Sequence, residues 1–458
     1  MNDLSVSRIR LLPQARSLLG GNLARKLMLR VLEKISTGSL TLRDGDETFH
    51  FGERGHPGEP QAEIVVHNRE AYRKVLTGGT IASGEAYIEG DWSSPDPTEV
   101  TRLFSANMAA METMEAKQHW YVRAGLAVAH AMNRNTHEGS RRNIAAHYDL
   151  SNELYALFLD DTMTYSAAYF TSPGDTLEQA QEAKYRRLAE KARIGPGDHV
   201  LEIGCGWGGF AIFAAGTYGC RVTGITLSEQ QATLARQRVS EAGLDELVSI
   251  ELIDYREVTG RFDRIVSIEM LEAVGHRYLD TFFAAIDRLL APDGLAAVQV
   301  ITIPEQRYES YKRRPDFIQR YIFPGGHLPS LEAMSGSMGR SGDLYVEEVD
   351  NIGVHYAETL RRWRERFLAN VDQVHELGFD DRFVRMWEFY LAYCEGAFLA
   401  RYISDLQVVL TRPMNGTLGT HPYGQQLVEV READLPPRRG DLIVAQREAA
   451  RARSEASA

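Results

Sequence analysis

The sequence predicts an α/β protein built on a Rossmann-like, doubly wound parallel sheet, with a small α+β domain in front of it. Strand-like apolar runs alternate with helical stretches between residues 199 and 301. Such βα alternation, with strands apolar enough to be buried on both faces, is what a helix-covered parallel sheet requires. The first of these runs breaks into glycines, VLEIGCGWGGF over residues 200–210. A strand ending in glycines lets a ligand approach the backbone closely, and the following helix can present free N–H groups to it. Ligands in doubly wound sheets sit outside the strands' carboxyl ends, where this loop falls.

The chain of 458 residues has room for two or three domains, and its 44% apolar and 25% charged content is ordinary for a globular protein. No apolar run approaches roughly 18 residues, so no transmembrane helix is expected. The N-terminus lacks the apolar core of a signal peptide. Cys205, Cys220 and Cys394 show no CxxC pairing, so neither a disulfide framework nor a metal site is expected, and the cytoplasm is the expected compartment. A net charge of −12 argues against general nucleic-acid binding.

Residues 1–120 read as the first domain. Leu23, Leu27, Val31 and Ile35 recur at helical spacing beside Lys26, Arg30 and Lys34. That pairing of an apolar and a basic stripe suits either a docked surface helix or one resting on an anionic membrane. Strand-like runs follow at 39–43, 48–51 and 63–66, then a helix over 67–76 and the glycine-punctuated segment TGGTIASGEAYIEGDW. A helical, alanine- and methionine-rich stretch over 103–142 ends in the basic patch NRNTHEGSRRN; residues 121–145 are expected to be a linker.

Residues 146–412 form the second domain. Strands are expected at 199–203, 221–225, 248–252, 264–268 and 295–301, and helices at 209–216, 229–242 and 278–290. Beyond Pro304 come a basic aromatic segment, the turn YIFPGGHLPS and a late edge strand over 344–348. Helices are expected over 356–368, 382–398 and the run to Val409, and residues 413–458 as an extension and tail.

The loop GCGWGG lacks the lysine of a phosphate-binding P-loop. The second strand ends in Thr226, Leu227 and Ser228 without the acid that a dinucleotide ribose needs. Glu202, just before Gly204, Gly206 and Gly208, can receive the ammonium group of an amino-acid-like ligand. Asp254 past the third strand suits an adenine amine, and Gln230 and Gln231 suit a ribose. Together these fit S-adenosyl-L-methionine better than a nicotinamide dinucleotide.

The succession HYDLSNELYALFLDDTMTYSAAYF, VLEIGCGWGGFA, VTGITLSEQQ, DYREVTGRFDRIVSIEMLEAVG, YIFPGGHLPS and NIGVHY resembles the cyclopropane-fatty-acyl-phospholipid synthase family over residues 140–412. The N-terminal domain with GEAYIEGDW resembles that of the phospholipid-acting bacterial members. The resemblance implies a class I methyltransferase sheet that modifies double bonds of unsaturated phospholipid acyl chains, on the inner face of the membrane as a peripheral protein. It assigns Tyr165, Ser166, the glycine loop, Thr226, Gln231 and Asp254 to S-adenosyl-L-methionine. It assigns Ala167, Glu272, Gln299 and Tyr356 to a bound bicarbonate acting as base.

Alanine replaces the common cysteine at 167, and Gln299 replaces a histidine, leaving a group that donates but does not titrate. The segments AVQVITIP and IEMLEAVG resemble a branch that makes mid-chain methyl-branched fatty acids, in which a separate reductase would be a partner. The expected assembly is a homodimer. Methylation of a small amine and a non-enzymatic lipid carrier remain open alternatives at this point. His147 reads equally as a packing or a gating residue.

Overall fold

A computed structural model of the chain describes residues 21–53, 57–108, 151–313 and 315–418. The expectations for residues 1–20, for most of the helical stretch over 103–142, for the 121–145 linker with its basic patch, for His147 and for the tail beyond 418 lie outside the described residues. The chain divides into two compact units, Met1–Arg123 and Ala124–Ala458.

In the first unit, helix α1 (Gly21–Leu32) precedes strands β1 (Ser39–Asp44), β2 (Glu47–Gly52) and β3 (Gln61–Val66), helix α2 (Glu70–Ile88), the short strand β4 (Trp92–Ser93) and helix α3 (Pro97–Ala106). The sheet order is β2-β1-β3-β4, with β1 antiparallel to β2 and parallel to β3. Helix α2 does not stop before the glycines, as the sequence suggests. It continues to Ile88 through a kink at Gly79, whose φ of 65° and ψ of −147° are open to glycine and strained for other residues. Burial of Ile81, Ala82, Ala86 and Tyr87 holds the second half of the helix in place. Beneath it, buried Asp44 accepts from Arg25 Nε (2.5 Å), Arg69 Nε (2.8 Å) and Tyr72 OH (3.1 Å).

On α1 the core-facing side chains are Ala24, Met28 and Leu32, one position round from the stripe read in the sequence. Leu23 and Leu27 are instead 50% and 36% exposed, beside exposed Lys26, Arg30 and Lys34.

The second unit holds a seven-stranded mixed sheet in the order β10-β11-β9-β8-β5-β6-β7. Its parallel part is β5 (His199–Ile203), β6 (Arg221–Thr226), β7 (Val248–Leu252), β8 (Phe262–Ile268) and β9 (Leu290–Thr302). Side chains alternate between two cores as a strand period of two demands. Leu201, Ile203, Ile265, Ala296, Val298 and Val300 pack on one face, and Val200, Val222, Ile250, Val266 and Ala297 on the other.

Strand β10 (Tyr345–Asn351) is the expected edge. Strand β11 (Ser404–Thr411) lies between it and β9, antiparallel to both. The helical expectation for the run to Val409 is therefore corrected: SDLQVVLT is β-branched and almost wholly buried, which suits a central strand rather than a helix.

Asp44→Ala should strip Arg25 and Tyr72 of a buried acceptor. Breaking a buried charge pair this way costs about 3–5 kcal/mol. Hydrogen exchange should show residues 21–108 losing protection, and unchanged protection would remove Asp44 from the account of this unit.

Candidate active site

The glycine loop follows directly from β5. Gly204 and Cys205 donate their N–H groups to the Ile225 carbonyl at 3.0 and 2.9 Å, so the loop is pinned to β6. Gly204 adopts φ 84°, and a Cβ there would lie 2.7 Å from Met270 Cγ. Glycine is required on both counts. Helix α6 (Gly209–Tyr218) then leads away from the loop.

A cleft opens at this strand end, lined by Tyr165, Ser166, Glu202, Gly204, Gly206, Thr226, Gln231 and Glu269, with Ile253 and Tyr255 beyond them. Thr226 Oγ1 donates to Gln231 Oε1 at 2.8 Å, fixing the glutamine side chain. Gln230 points to solvent. Gly208 caps α6 and does not line the cleft. Asp254 is buried, its carboxylate held by Arg256, while its neighbours Ile253 and Tyr255 reach the cleft.

Glu202 is almost fully buried. Its Oε2 has no hydrogen-bond partner among the described residues. Burial pushes its carboxyl up to about 8, against the pull of the Lys184 ammonium and the Ala211 N–H. Lys184, on helix α5 (Leu177–Lys191), is fully buried and donates to Ser166 Oγ at 2.6 Å. Burial lowers it to about 8, although Glu269, Asp160, Asp405 and Glu202 all oppose the loss of its charge.

A buried aromatic cluster packs behind Tyr165, which with Trp207 lines the cleft. Tyr165 stacks on Trp363 with ring centres 5.2 Å apart and meets Tyr155 edge-on at 5.2 Å; Tyr155 in turn packs on Trp207 at 5.1 Å. Tyr165 OH and Tyr390 OH share a hydrogen bond of 2.7 Å.

Three of the four residues expected around an anion converge, and they converge on a side chain the motifs did not single out. Glu269, just past β8, accepts from Ala167 N–H at 2.7 Å and Gln299 Nε2 at 2.8 Å on Oε1. It accepts from Tyr356 OH at 2.7 Å on Oε2. Glu272, in the turn Leu271–Ala273, accepts instead from the Ile301 N–H, and its Oε2 is buried without a partner among the described residues. Burial and the neighbouring Glu269 charge push Glu272 up to about 8.

Fully buried Gln299 also donates to Asp405 Oδ2 at 3.1 Å and accepts from Gln407 Nε2 at 3.1 Å. Gln407 sits directly across from it on β11. Glu269, Lys184, Asp405 and Gln407 escaped the sequence reading. Two signals pointed toward them: paired glutamates three apart in IEMLEA, and polar residues alternating with apolar ones in SDLQVV.

Residues 135–408 match the family model described as mycolic acid cyclopropane synthetase. The chain is 42% identical over 363 residues to the tuberculostearic acid methyltransferase of Mycobacterium tuberculosis, covering 77% of this chain and 84% of that protein. It is 37% identical over 361 residues to the cyclopropane-fatty-acyl-phospholipid synthase of Escherichia coli, covering 79% and 91%. Among solved structures it resembles a mycolic acid cyclopropane synthase complexed with SAH and CTAB. The TM-score is 0.56 at 34% identity, over 59% of this chain and 98% of that one.

Glu202→Gln should stabilise the empty protein in a pH-dependent way. With a folded value near 8 against an ordinary 4.5, Glu202 holds its proton more tightly when folded. The stability this gives is present below pH 4.5 and lost as pH rises through 8, at about 1.4 kcal/mol per unit at most. Lys184 titrates in the folded state near 8 and ordinarily at 10.5, so its contribution changes above this window. The melting temperature of the variant should therefore pull ahead of the native protein between pH 5 and 8. A gap that is constant with pH would mean that Glu202 is ionised throughout.

Proposed function

The chain belongs to the mycolic acid cyclopropane synthetase family of S-adenosylmethionine-dependent methyltransferases, and from that premise we propose that it methylates a double bond in an unsaturated phospholipid acyl chain to give a mid-chain methylene branch. The observation that carries this is the cleft itself, in which a cation-seeking wall and a buried carboxylate meet beside the glycine loop. A cationic donor fits the residues present: Glu202 offers a buried oxygen without a partner, and Gly204 leaves room where a Cβ would fill the cradle. Tyr165, Ser166, Glu202, Gly204, Gly206, Thr226 and Gln231 would hold it, with Asp254 behind Ile253 and Tyr255. When bound, it would supply an electrophilic methyl group, the methyl–sulfur bond breaking and its electron pair staying with sulfur in the departing neutral thioether.

The alkene's π pair forms the new carbon–carbon bond, and its other carbon becomes a cation. The ring of Tyr165, which lines the cleft with Trp363 stacked on it, offers negative charge to that cation without offering a nucleophile. Loss of a proton from the transferred methyl group closes a cyclopropane. A hydride shift before that loss gives a methylene instead, which a separate reductase would convert to a methyl branch. The identity to a tuberculostearic acid methyltransferase supports the branched outcome. The cyclopropane is the second outcome, supported by the Escherichia coli relative.

For the N-terminal domain, we propose that α1 rests on the membrane. Leu23 and Leu27 are exposed next to Lys26, Arg30 and Lys34, the arrangement that an anionic lipid surface attracts. Among the described residues no helix is long and apolar enough to cross a bilayer.

Expression in a host rich in monounsaturated lipids should yield acyl chains heavier by one CH₂, with vinylidene protons by NMR for a methylene branch and upfield ring protons for a cyclopropane. Glu272→Ala should reduce either product by at least about tenfold, since it empties a buried polar seat beside Glu269. Unaltered lipids from the native protein would overturn the proposed activity. Neutralising Lys26, Arg30 and Lys34 together should weaken binding to anionic vesicles by about 100-fold, at roughly 1 kcal/mol per charge. Undiminished binding would return α1 to an ordinary surface helix.

A further inference from the structure

The groups expected to hold a bicarbonate are already satisfied by the protein. Ala167 N–H, Gln299 Nε2 and Tyr356 OH all donate to Glu269. The fourth, Glu272, is an acid whose bonded oxygen is occupied by the Ile301 N–H. A bicarbonate in this seat would find its three donors taken by the Glu269 carboxylate, and like charges at such range repel strongly. Bicarbonate does not fit these residues.

What stands in the seat is chemically close to it: a planar carboxylate, tethered to β8, with charge-assisted hydrogen bonds on both oxygens. Its backbone takes φ 50°, a left-handed conformation that a non-glycine residue rarely adopts. Strain of this kind persists where the surroundings hold it and clusters at working sites. Glu269 lines the same cleft as Tyr165, Ser166 and Glu202, so its carboxylate faces the space where the donor and the acyl chain must meet.

We propose that Glu269 is the catalytic base of this enzyme and takes the place of a diffusible anion. The assignment rests on the proposed acyl-chain methylation. In the step, a C–H bond of the transferred methyl group breaks and its electron pair moves to the cationic carbon, forming the methylene double bond when a hydride shift has placed the cation on the carbon that bears the methyl, or closing the ring when the cation is on the next carbon. The proton passes to a Glu269 oxygen, and the resulting carboxylic acid returns it to solvent between turnovers. Burial raises the Glu269 carboxyl above the ordinary carboxylate range, which strengthens it as a proton acceptor. Its three donors and the Lys184 ammonium favour the ionised form needed before the step.

The test uses the full chain, S-adenosylmethionine and vesicles of monounsaturated phospholipid in buffer stripped of carbon dioxide. The native enzyme should turn over at the same rate with or without added bicarbonate. Glu269→Gln should be slower by about 100-fold or more, the usual contribution of a positioned base. Glu269→Gly relieves the left-handed backbone and empties the seat, so added bicarbonate should restore much of its activity. Carbon-13 NMR with labelled bicarbonate gives a readout without turnover: a bound signal with Glu269→Gly and none with the native chain. Calorimetry should find S-adenosylmethionine affinity within a few-fold in all three proteins.

A native enzyme that needs bicarbonate or binds it, or a Glu269→Gln variant as fast as the native one, would overturn the assignment and leave the methyltransferase function standing. A native chain that neither binds the donor nor alters the lipid would instead remove the function, and this assignment with it.

Discussion

The site is governed by a shortage of positive charge among buried side chains. Glu202, Glu269 and Asp405 all feel the buried ammonium of Lys184, and Glu272 sits against Glu269. Burial drives the carboxyls up, Asp405 well beyond its usual range, and drives the lysine down. Ionising all of them together in a medium of low polarity is prohibitive, so the surrounding structure supplies dipoles instead. Ala167 N–H, Gln299 and Tyr356 serve Glu269, and the Ile301 N–H serves Glu272. A cleft with more acids than ammoniums is also one that a cationic ligand enters favourably, because the ligand brings the missing charge.

The parallel sheet was legible because short apolar runs bounded by turn signals recur in alternation with helical stretches; a single such run has no period that tells it from a buried helix segment. The glycine loop was legible because Gly204 answers a steric demand. Strand β11 was not. It follows the long helix Asp381–Leu399 after a short turn and carries polar residues, so its periodicity is blurred at the point where the chain reverses. Those same polar residues, Asp405 and Gln407, belong to the site.

Glu269 was hidden for a different reason. Its role depends on three donors far apart in sequence, at 167, 299 and 356, and only the folded sheet brings them to one carboxylate. By contrast, the α2 helix was cut short because glycines usually end helices. Here Gly79 only kinks one whose second half is buried.

Relatives of this chain are named for different products, and the geometry suggests why one scaffold serves them. The proposed seat of the electrophile lies at the ends of β5 and β6, whereas the proposed proton acceptor lies at the end of β8 and is braced by β9 and β11. On this proposal donor binding and product choice draw on different strands.

The place of β11 also has a consequence for biosynthesis. β9 is complete at Thr302, yet its neighbour in the sheet begins only at Ser404. As the chain leaves the ribosome, β9 therefore presents an open, strongly apolar edge while several helices are still being made. Such an edge is a template for unwanted pairing with other chains. The half-made protein is exposed to aggregation until β11 arrives, and because that strand carries Asp405 and Gln407, a chain cut short before it would lack both the pairing of the β9 edge and the brace on Gln299.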